Sequence, residues 1–536
     1  MSKHVAHVRR LSRRDLLRLG IAVGGSTLIA DALAPRRASS DGGGGGGDVG
    51  RTPIRFTPFS VPLPMPADMP VVPAFTQNCV FEAAVSTAPV FHEVHMRKAI
   101  VQIIPGVDTE IFGYNGLYPG PTLRSHIGTP DVVRMVNELD VETSVHQHGG
   151  HNPSNSDGLP FPDQLIPPGG TKDYCYPNVP AGGDPNEDPS TLWYHDHALD
   201  ITGPNVYHGL AGFTIVTDAL EDGLIGSVLP GPGFDVPMVL QDKTFNADGS
   251  LFFNTFDHDG FLGDVFVVNG KAQPFFEVQR RKYRFRILDG SNARFYLLRL
   301  SSGQHFTQIG ADSWLLPVAV DRERILLANA QRADVVIDFT HSPDIVYLEN
   351  VLQQDNGRGP GGDLQNPDVM PPVRLVQFRV VGGTVANDVT VAPGTRLRPN
   401  TPINAGEIVA TRRFEFVRSD GAWQINEQFF DPDRVDANPT EGTAERWILK
   451  NGGGGWWHPI HIHLESHQIQ RFNGVTNLPQ QPLNPPSFFK RDTTLLGPDD
   501  QAEVFMKFRD HPGRFVFHCH NTEHEDDRMM GRFDVG

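Results

Sequence analysis

From about Thr52 onward the chain carries short runs of apolar or alternating apolar and polar residues. Val94 to Ile104, Val132 to Leu139, Phe213 to Val216 and Tyr283 to Leu288 are the clearest, and Gly, Pro, Asn and Asp punctuate them. Windows with the 3.6-residue period of an amphipathic helix are few. Many short strands with frequent turns predict an all-β protein made of sandwiches or barrels. Two Gly/Pro-rich breaks interrupt the pattern, near 218–235 (Gly223, Gly226, Pro230, Gly231, Pro232, Gly233) and near 381–403 (Gly382, Gly383, Pro393, Gly394, Pro399, Pro402). They predict three domains over 52–218, 219–400 and 401–536, and 536 residues suffice for three domains of about 150–200 residues each. The Gly/Pro/Asn/Asp-rich stretch 353–371 is expected to be a surface loop of the second.

The first forty residues read as an address, not as fold. Ser12-Arg13-Arg14-Asp15-Leu16-Leu17-Arg18 is a twin-arginine pattern, and a weakly apolar stretch from Leu19 to Ala34 follows. This resembles the signal of the bacterial twin-arginine export machinery, which carries proteins already folded. Cleavage is expected between about Ala32 and Ser40, with the glycines Gly42 to Gly47 inside a flexible tether over 41–51. The destination is then periplasm, cell surface or medium. Beyond that region no segment is apolar for the 18 or more residues a spanning helix needs, so no stable membrane insertion is expected. The net charge of −17 argues against nucleic acid or an anionic membrane as partner. A monomer is expected.

The chemistry is concentrated in histidine. Four clusters stand out: His146-Gln147-His148, His195-Asp196-His197, His458-Pro459-Ile460-His461-Ile462-His463, and His518-Cys519-His520 with His524 and Met529 downstream. On a strand, residues two apart share a face, so each His-x-His aims two imidazoles at one metal or at two neighbouring ones. In the last cluster Cys519 points opposite to His518 and His520. One thiolate with two imidazoles and a weak thioether suits a blue electron-transfer copper site. An electron arriving at Cys519 is then one residue away from a second centre. Of 22 histidines, ten fall in these clusters. The remainder outside the signal, His467 included, are expected to be structural or exposed. Cys79 and Cys175 are the other cysteines. If Cys519 binds metal they form the one possible intramolecular pair, and a disulfide and two buried thiols both remain open.

The four motifs, in this order, resemble those of the multicopper oxidases, proteins of three consecutive cupredoxin-like Greek-key β-sandwich domains. Tyr114-Asn115-Gly116 and Pro119-Gly120-Pro121-Thr122 resemble the same family. His148-Gly149-Gly150, Ser156-Asp157-Gly158 and His524-Glu525-Asp526 before Met529-Met530 resemble the branch holding bilirubin oxidase, the bacterial spore-coat laccase and phenoxazinone synthase. The resemblance implies four copper ions. Type 1 copper would take His458, Cys519 and His524 with Met529 axial, and type 2 copper His146 and His461. The type 3 pair would take His148, His195 and His520 on one ion and His197, His463 and His518 on the other. It also implies proton-handling roles for Asp157 and Glu525; solvated turn carboxylates are the alternative for both.

The implied activity couples one-electron oxidation of phenolic, aminophenolic or bilirubin-like donors to four-electron reduction of O2 to water, with electrons entering near an exposed edge of His458 or His524. A metal-ion oxidase acting on Mn(II), Fe(II) or Cu(I) is the second reading, for which the acidic body and Glu465 leave room. The small methionine count and the lack of a Met-rich insert speak against Cu(I). A non-enzymatic copper-binding cupredoxin protein is the third. Gly452 to Gly455 before Trp456 and Trp457 is expected to form a tight turn packed by two indoles, with an exposed aromatic docking surface as the alternative.

Overall fold

The computed structural model describes residues 52–81, 87–361, 371–419, 421–475 and 489–536. The expected signal and tether, and residues 362–370 of the expected loop, lie outside them.

Alternation of apolar and polar residues along these strands buries one face of each sheet, and the described residues form sheets that meet face to face in three pairs. In the first pair, Thr109–Tyr114, Val90–Val101, Asp131–Asn137 and Thr171–Tyr176 lie side by side. They face a sheet ordered Gly120–His126, Ala211–Thr217, Thr191–Asp196, Val145–His148. Val94, Met96, Val133 and Tyr174 from one side meet Leu123, Val145 and Tyr194 from the other. In the middle pair an eight-stranded sheet centred on Asp235–Phe245, Lys282–Asp289 and Arg332–Asp338 packs on a five-stranded one through Phe285, Ile287, Val335, Leu298, Leu348 and Phe378. The last pair sets a six-stranded sheet against Thr493–Leu496, His458–Ile462, Gly513–Cys519 and Met530–Val535. Its core holds Phe414, Trp447, Val504, Ile460, Phe517 and Cys519. Fully burying such a large side chain contributes about 1.5–3 kcal/mol, so the strand ending at Cys519 is held firmly.

The strand bounds depart from expectation where packing competes with periodicity. The first strand ends at Val101, not Ile104. Ile103 and Ile104 leave the sheet ahead of Pro105 and pack against Phe245, Val265 and Val267, and a residue preceding proline is restricted in conformation. Cys79 and Cys175 form a disulfide across 96 residues of chain, which closes the question left open by the sequence. No helix among the described residues is long and apolar enough to cross a membrane.

Candidate metal centre

Strand register assembles the site. Val145–His148 pairs antiparallel with Thr191–Asp196 so that His146 lies opposite His195. His458–Ile462 pairs antiparallel with Gly513–Cys519 so that His461 lies opposite His518 and Ile460 opposite Cys519. Two histidine-bearing antiparallel ladders, from the first and last sheet pairs, thus bring their imidazoles together. His146 stacks on His463 with ring centres 3.9 Å apart, and His148 on His461 at 3.7 Å.

Among the described residues five groups of ligand atoms result, each set lying within 4.8 Å. Four are built of histidine and cysteine alone: His146, His148 and His461; His148, His195 and His520; His197, His463 and His518; and His458, Cys519 and His524; the fifth sets the Asp157 carboxylate beside His146 and His463. All these residues are buried. His467 joins none of them; its Nε2 meets Thr494 Oγ1 at 2.7 Å. Its structural reading stands.

The donor nitrogens are prepared for cations. Nδ1–H of His146 donates to the Asp157 carbonyl at 2.5 Å, that of His461 to the Asp492 carbonyl at 2.8 Å, and that of His195 to the Asp196 carbonyl at 2.8 Å. A carbonyl accepts only, so these bonds leave each Nε2 with a bare lone pair. Yet His146 Nε2 faces His461 Nε2 at 3.3 Å, His197 Nε2 faces His518 Nε2 at 3.2 Å, and His195 Nε2 has no hydrogen-bond partner. Inward-facing lone pairs at this distance repel unless a cation lies between them. Burial, first, and the crowding of neighbouring imidazoles push His146, His148, His461, His463 and His520 well below the usual histidine range, and burial takes His195 down to about 3. Neutral imidazole is the metal-binding form.

The sulfur group is nearly an equilateral triangle. Cys519 Sγ lies 3.5 Å from both His458 Nδ1 and His524 Nδ1, which are 3.2 Å apart. A point equidistant from the three lies about 2 Å from each, near ordinary metal–nitrogen and metal–sulfur bond lengths of roughly 2.0–2.3 Å. Burial pushes the Cys519 thiol well above its usual range, so the thiolate there needs a cation beside it. Met529 is fully buried in the same core. Its carbonyl accepts from Cys519 N–H at 3.1 Å and its N–H donates to the His524 carbonyl at 2.9 Å. Between them the chain forms a short helix, Thr522–Asp526, capped by the Asn521 side chain. Sequence reading missed this helix, although Asn followed by two glutamates in the first turn is a start signal. Met529→Leu is expected to raise the potential of the blue site by removing a weak thioether donor to the oxidised ion. An unchanged redox titration would show that Met529 is not axial.

Two expectations about the surroundings are corrected. Neither His458 nor His524 has an exposed edge; their relative exposures are 1% and 0%. Trp423 lies over His524 with centres 3.8 Å apart, and His524 Nε2–H donates to the Asp259 carbonyl at 3.1 Å. Glu465 is not available to a metal ion: it is buried and accepts from Arg509 Nη2 at 2.7 Å. The tight-turn expectation holds for the glycines and Trp456, whereas Trp457 turns away to pack against the cluster of Phe295, Leu297 and Leu352. Gly453, Gly454 and Gly455 have φ of 90°, 82° and 87°, a left-handed run that side-chain-bearing residues resist, and Trp456 packs edge-on against Trp423 at 5.3 Å.

The two carboxylates lie behind the imidazoles. Asp157 Oδ2 is 2.6 Å from His463 Nδ1, and burial drives this acid well above its usual range. Glu525 is fully buried, 3.4 Å from His197 Nδ1 and 3.2 Å from His518 Nδ1. Neither is a solvated turn residue.

Comparison with known proteins supplies the identity. Residues 95–221 and 402–536 match the multicopper oxidase family. The bilirubin oxidase of Albifimbria verrucaria is 34% identical over 489 residues, spanning 89% of this chain and 81% of that protein. The chain belongs to the multicopper oxidases. Among other multicopper oxidases, the laccase of Bacillus subtilis is 32% identical over 503 residues, spanning 83% of this chain and 94% of that one. The crystal structure of a laccase from Pediococcus acidilactici superposes with a TM-score of 0.74 at 28% identity, covering 91% of this chain and 95% of that one. Multicopper oxidases of this kind are copper oxidoreductases that use O2, built from cupredoxin-like sandwiches, and the four ligand groups here match their complement of one type 1, one type 2 and a pair of type 3 coppers.

Proposed function

We propose that this chain is an exported, laccase-like oxidase of small organic donors. In this reading His458, Cys519, His524 and Met529 hold type 1 copper, and His146 and His461 hold type 2. His148, His195 and His520 hold one type 3 ion, and His197, His463 and His518 the other. The observation that carries the reading is the placement of Cys519 in a trigonal Cys-His-His set with 3.2–3.5 Å sides, directly between two histidines of the other groups. Bound copper supplies the one-electron chemistry and the four-electron reduction of O2 to water. The chain supplies the rest. Backbone carbonyls select imidazole tautomers, and Trp423 and the Asp259 carbonyl shield His524 from water. Burial keeps Asp157 protonated beside His463, whereas His197 and His518, outweighing burial, hold Glu525 ionised as a proton acceptor behind the ligand rings.

Division into three domains over 52–218, 219–400 and 401–536 is part of this proposal, as is folding before twin-arginine export. The organic-donor reading is supported by the cover of the sulfur site. Trp423 and Trp456 form it with Arg418 and Arg358 over the indoles, while the nearby Asp259 carboxylate is held by Arg418. Oxygen uptake by the copper-loaded protein tests it, with a phenol, an aminophenol and bilirubin set against Mn(II), Fe(II) and Cu(I). The organic donors are expected to lead in kcat/KM. A metal ion leading by roughly tenfold, about 1.4 kcal/mol of transition-state discrimination, overturns the donor class and leaves the oxidase.

A further inference from the structure

The middle sheet pair contributes no residue to the ligand groups, yet one of its side chains grips the carboxylate behind them. Arg332 begins the strand Arg332–Asp338 and is 1% exposed. Its Nη1 and Nη2 donate to Oδ1 and Oδ2 of Asp492 at 2.9 and 2.6 Å. This two-pronged guanidinium–carboxylate fork fixes orientation as well as position. The same guanidinium donates through Nε to the Thr191 carbonyl, in the strand that carries His195. Ser313 Oγ adds a third donor to Asp492 Oδ2 at 3.0 Å.

Asp492 in turn touches two metal-site imidazoles. Its main-chain carbonyl accepts from His461 Nδ1–H at 2.8 Å. Its carboxylate Oδ1 lies 3.1 Å from His148 Nε2, and Thr493 Oγ1 lies 3.3 Å from the same nitrogen. A carboxylate already held by an arginine accepts only, so it fixes the proton of His148 on Nε2. Nδ1 of His148, buried and without a hydrogen-bond partner, is then the lone pair left for a metal. His148 is thereby turned end for end relative to His146, His195 and His461, whose Nδ1 atoms donate outward. The backbone is shaped to allow the approach. Gly149 sits at φ +83°, and a Cβ there would lie 1.9 Å from Ser313 Oγ and 2.8 Å from both Arg332 Nη2 and Asp492 Oδ2.

We propose that Asp492, clamped by Arg332, is a positioning residue. It commits His148 to coordination through Nδ1 and ties the ligand geometry of the type 3 and type 2 ions to the central sheet. The inference rests on the ligand assignment proposed above. Partners of this kind behind a ligand histidine commonly change metal affinity about 10–100-fold when removed.

The test uses copper-loaded full-length protein and the Asp492→Asn variant. A neutral amide offers one acceptor where Arg332 and His148 need two, while the main-chain carbonyl that holds His461 is unchanged. The near-ultraviolet band of the coupled type 3 pair is expected to fall, with copper affinity at that ion reduced about 10–100-fold. The blue band and the type 2 electron paramagnetic resonance signal are expected to persist. Arg332→Lys, which keeps the charge but not the fork, is expected to lose less of the same band; it also serves if Asp492→Asn does not fold. Asp334→Asn, on the strand of Arg332, breaks the buried pair with Arg284 of the neighbouring strand; it is the control for general loosening and is expected to leave the band intact. A full type 3 band in both Asp492→Asn and Arg332→Lys overturns the proposal, as does an equal loss in Asp334→Asn. Absence of the band from the unaltered protein would overturn the ligand assignment instead.

Discussion

Cys519→Ser is expected to abolish the blue colour and turnover while leaving three coppers bound. The thiol is fully buried and burial pushes its pKa far up, so the site makes a thiolate only with a cation 2–2.3 Å away. A serine hydroxyl in that place is neither soft nor ionised, and two imidazoles with a thioether hold a type 1 ion poorly. The histidine groups do not depend on the sulfur. His518 and His520 face away from it, and their partners His461, His463, His195 and His148 come from other strands. Copper analysis with visible and paramagnetic resonance spectra checks this. Persistence of the blue band would mean that Cys519 is not the type 1 ligand.

Glu525→Gln is expected to slow reoxidation by O2 about 10²–10⁴-fold, the range typical of losing a positioned acid or base, while type 1 reduction by a donor changes little. The substitution keeps shape and hydrogen-bonding oxygen but cannot carry a proton. Glu525 sits behind His197 and His518 at 3.4 and 3.2 Å, whereas the sulfur group faces the other side of the strand. Four protons are consumed per O2, so a carboxylate buried against two ligand rings of one ion bears on the oxygen step alone. Stopped-flow measurement of anaerobic reduction and of reoxidation separates the two. Equal slowing of both would remove the proton role and leave Glu525 as packing.

Much of the site was legible because its chemistry is local in sequence. His-x-His spacing on strands, and Cys519 between two histidines, follow from a period of two, and each of the expected copper-ligand histidines and Cys519 lies in a ligand group. The all-β reading followed from the same period. Asp492 and Arg332 were not legible. They are 160 residues apart, and a single Asp and a single Arg carry no pattern until two sheets bring them within 2.6–2.9 Å. The helix Thr522–Asp526 was overlooked because five residues are too few for a helical period to show.

The sequence by itself determined which atoms can bind metal and in what local order, since strand geometry converts spacing directly into facing. Tertiary structure alone decided which way His148 and His461 turn, because the acceptors that set their tautomers come from a distant part of the chain, the Asp492 carboxylate at His148 Nε2 and the Asp492 carbonyl at His461 Nδ1. It alone decided that His458 and His524 lie under cover, because Trp423 and Asp259 arrive from elsewhere in the chain. It also decided that Glu465 is spent on Arg509 and not on a substrate ion. Exposure and these long-range partnerships are properties of the packed assembly, and the residues' neighbours along the chain do not encode them.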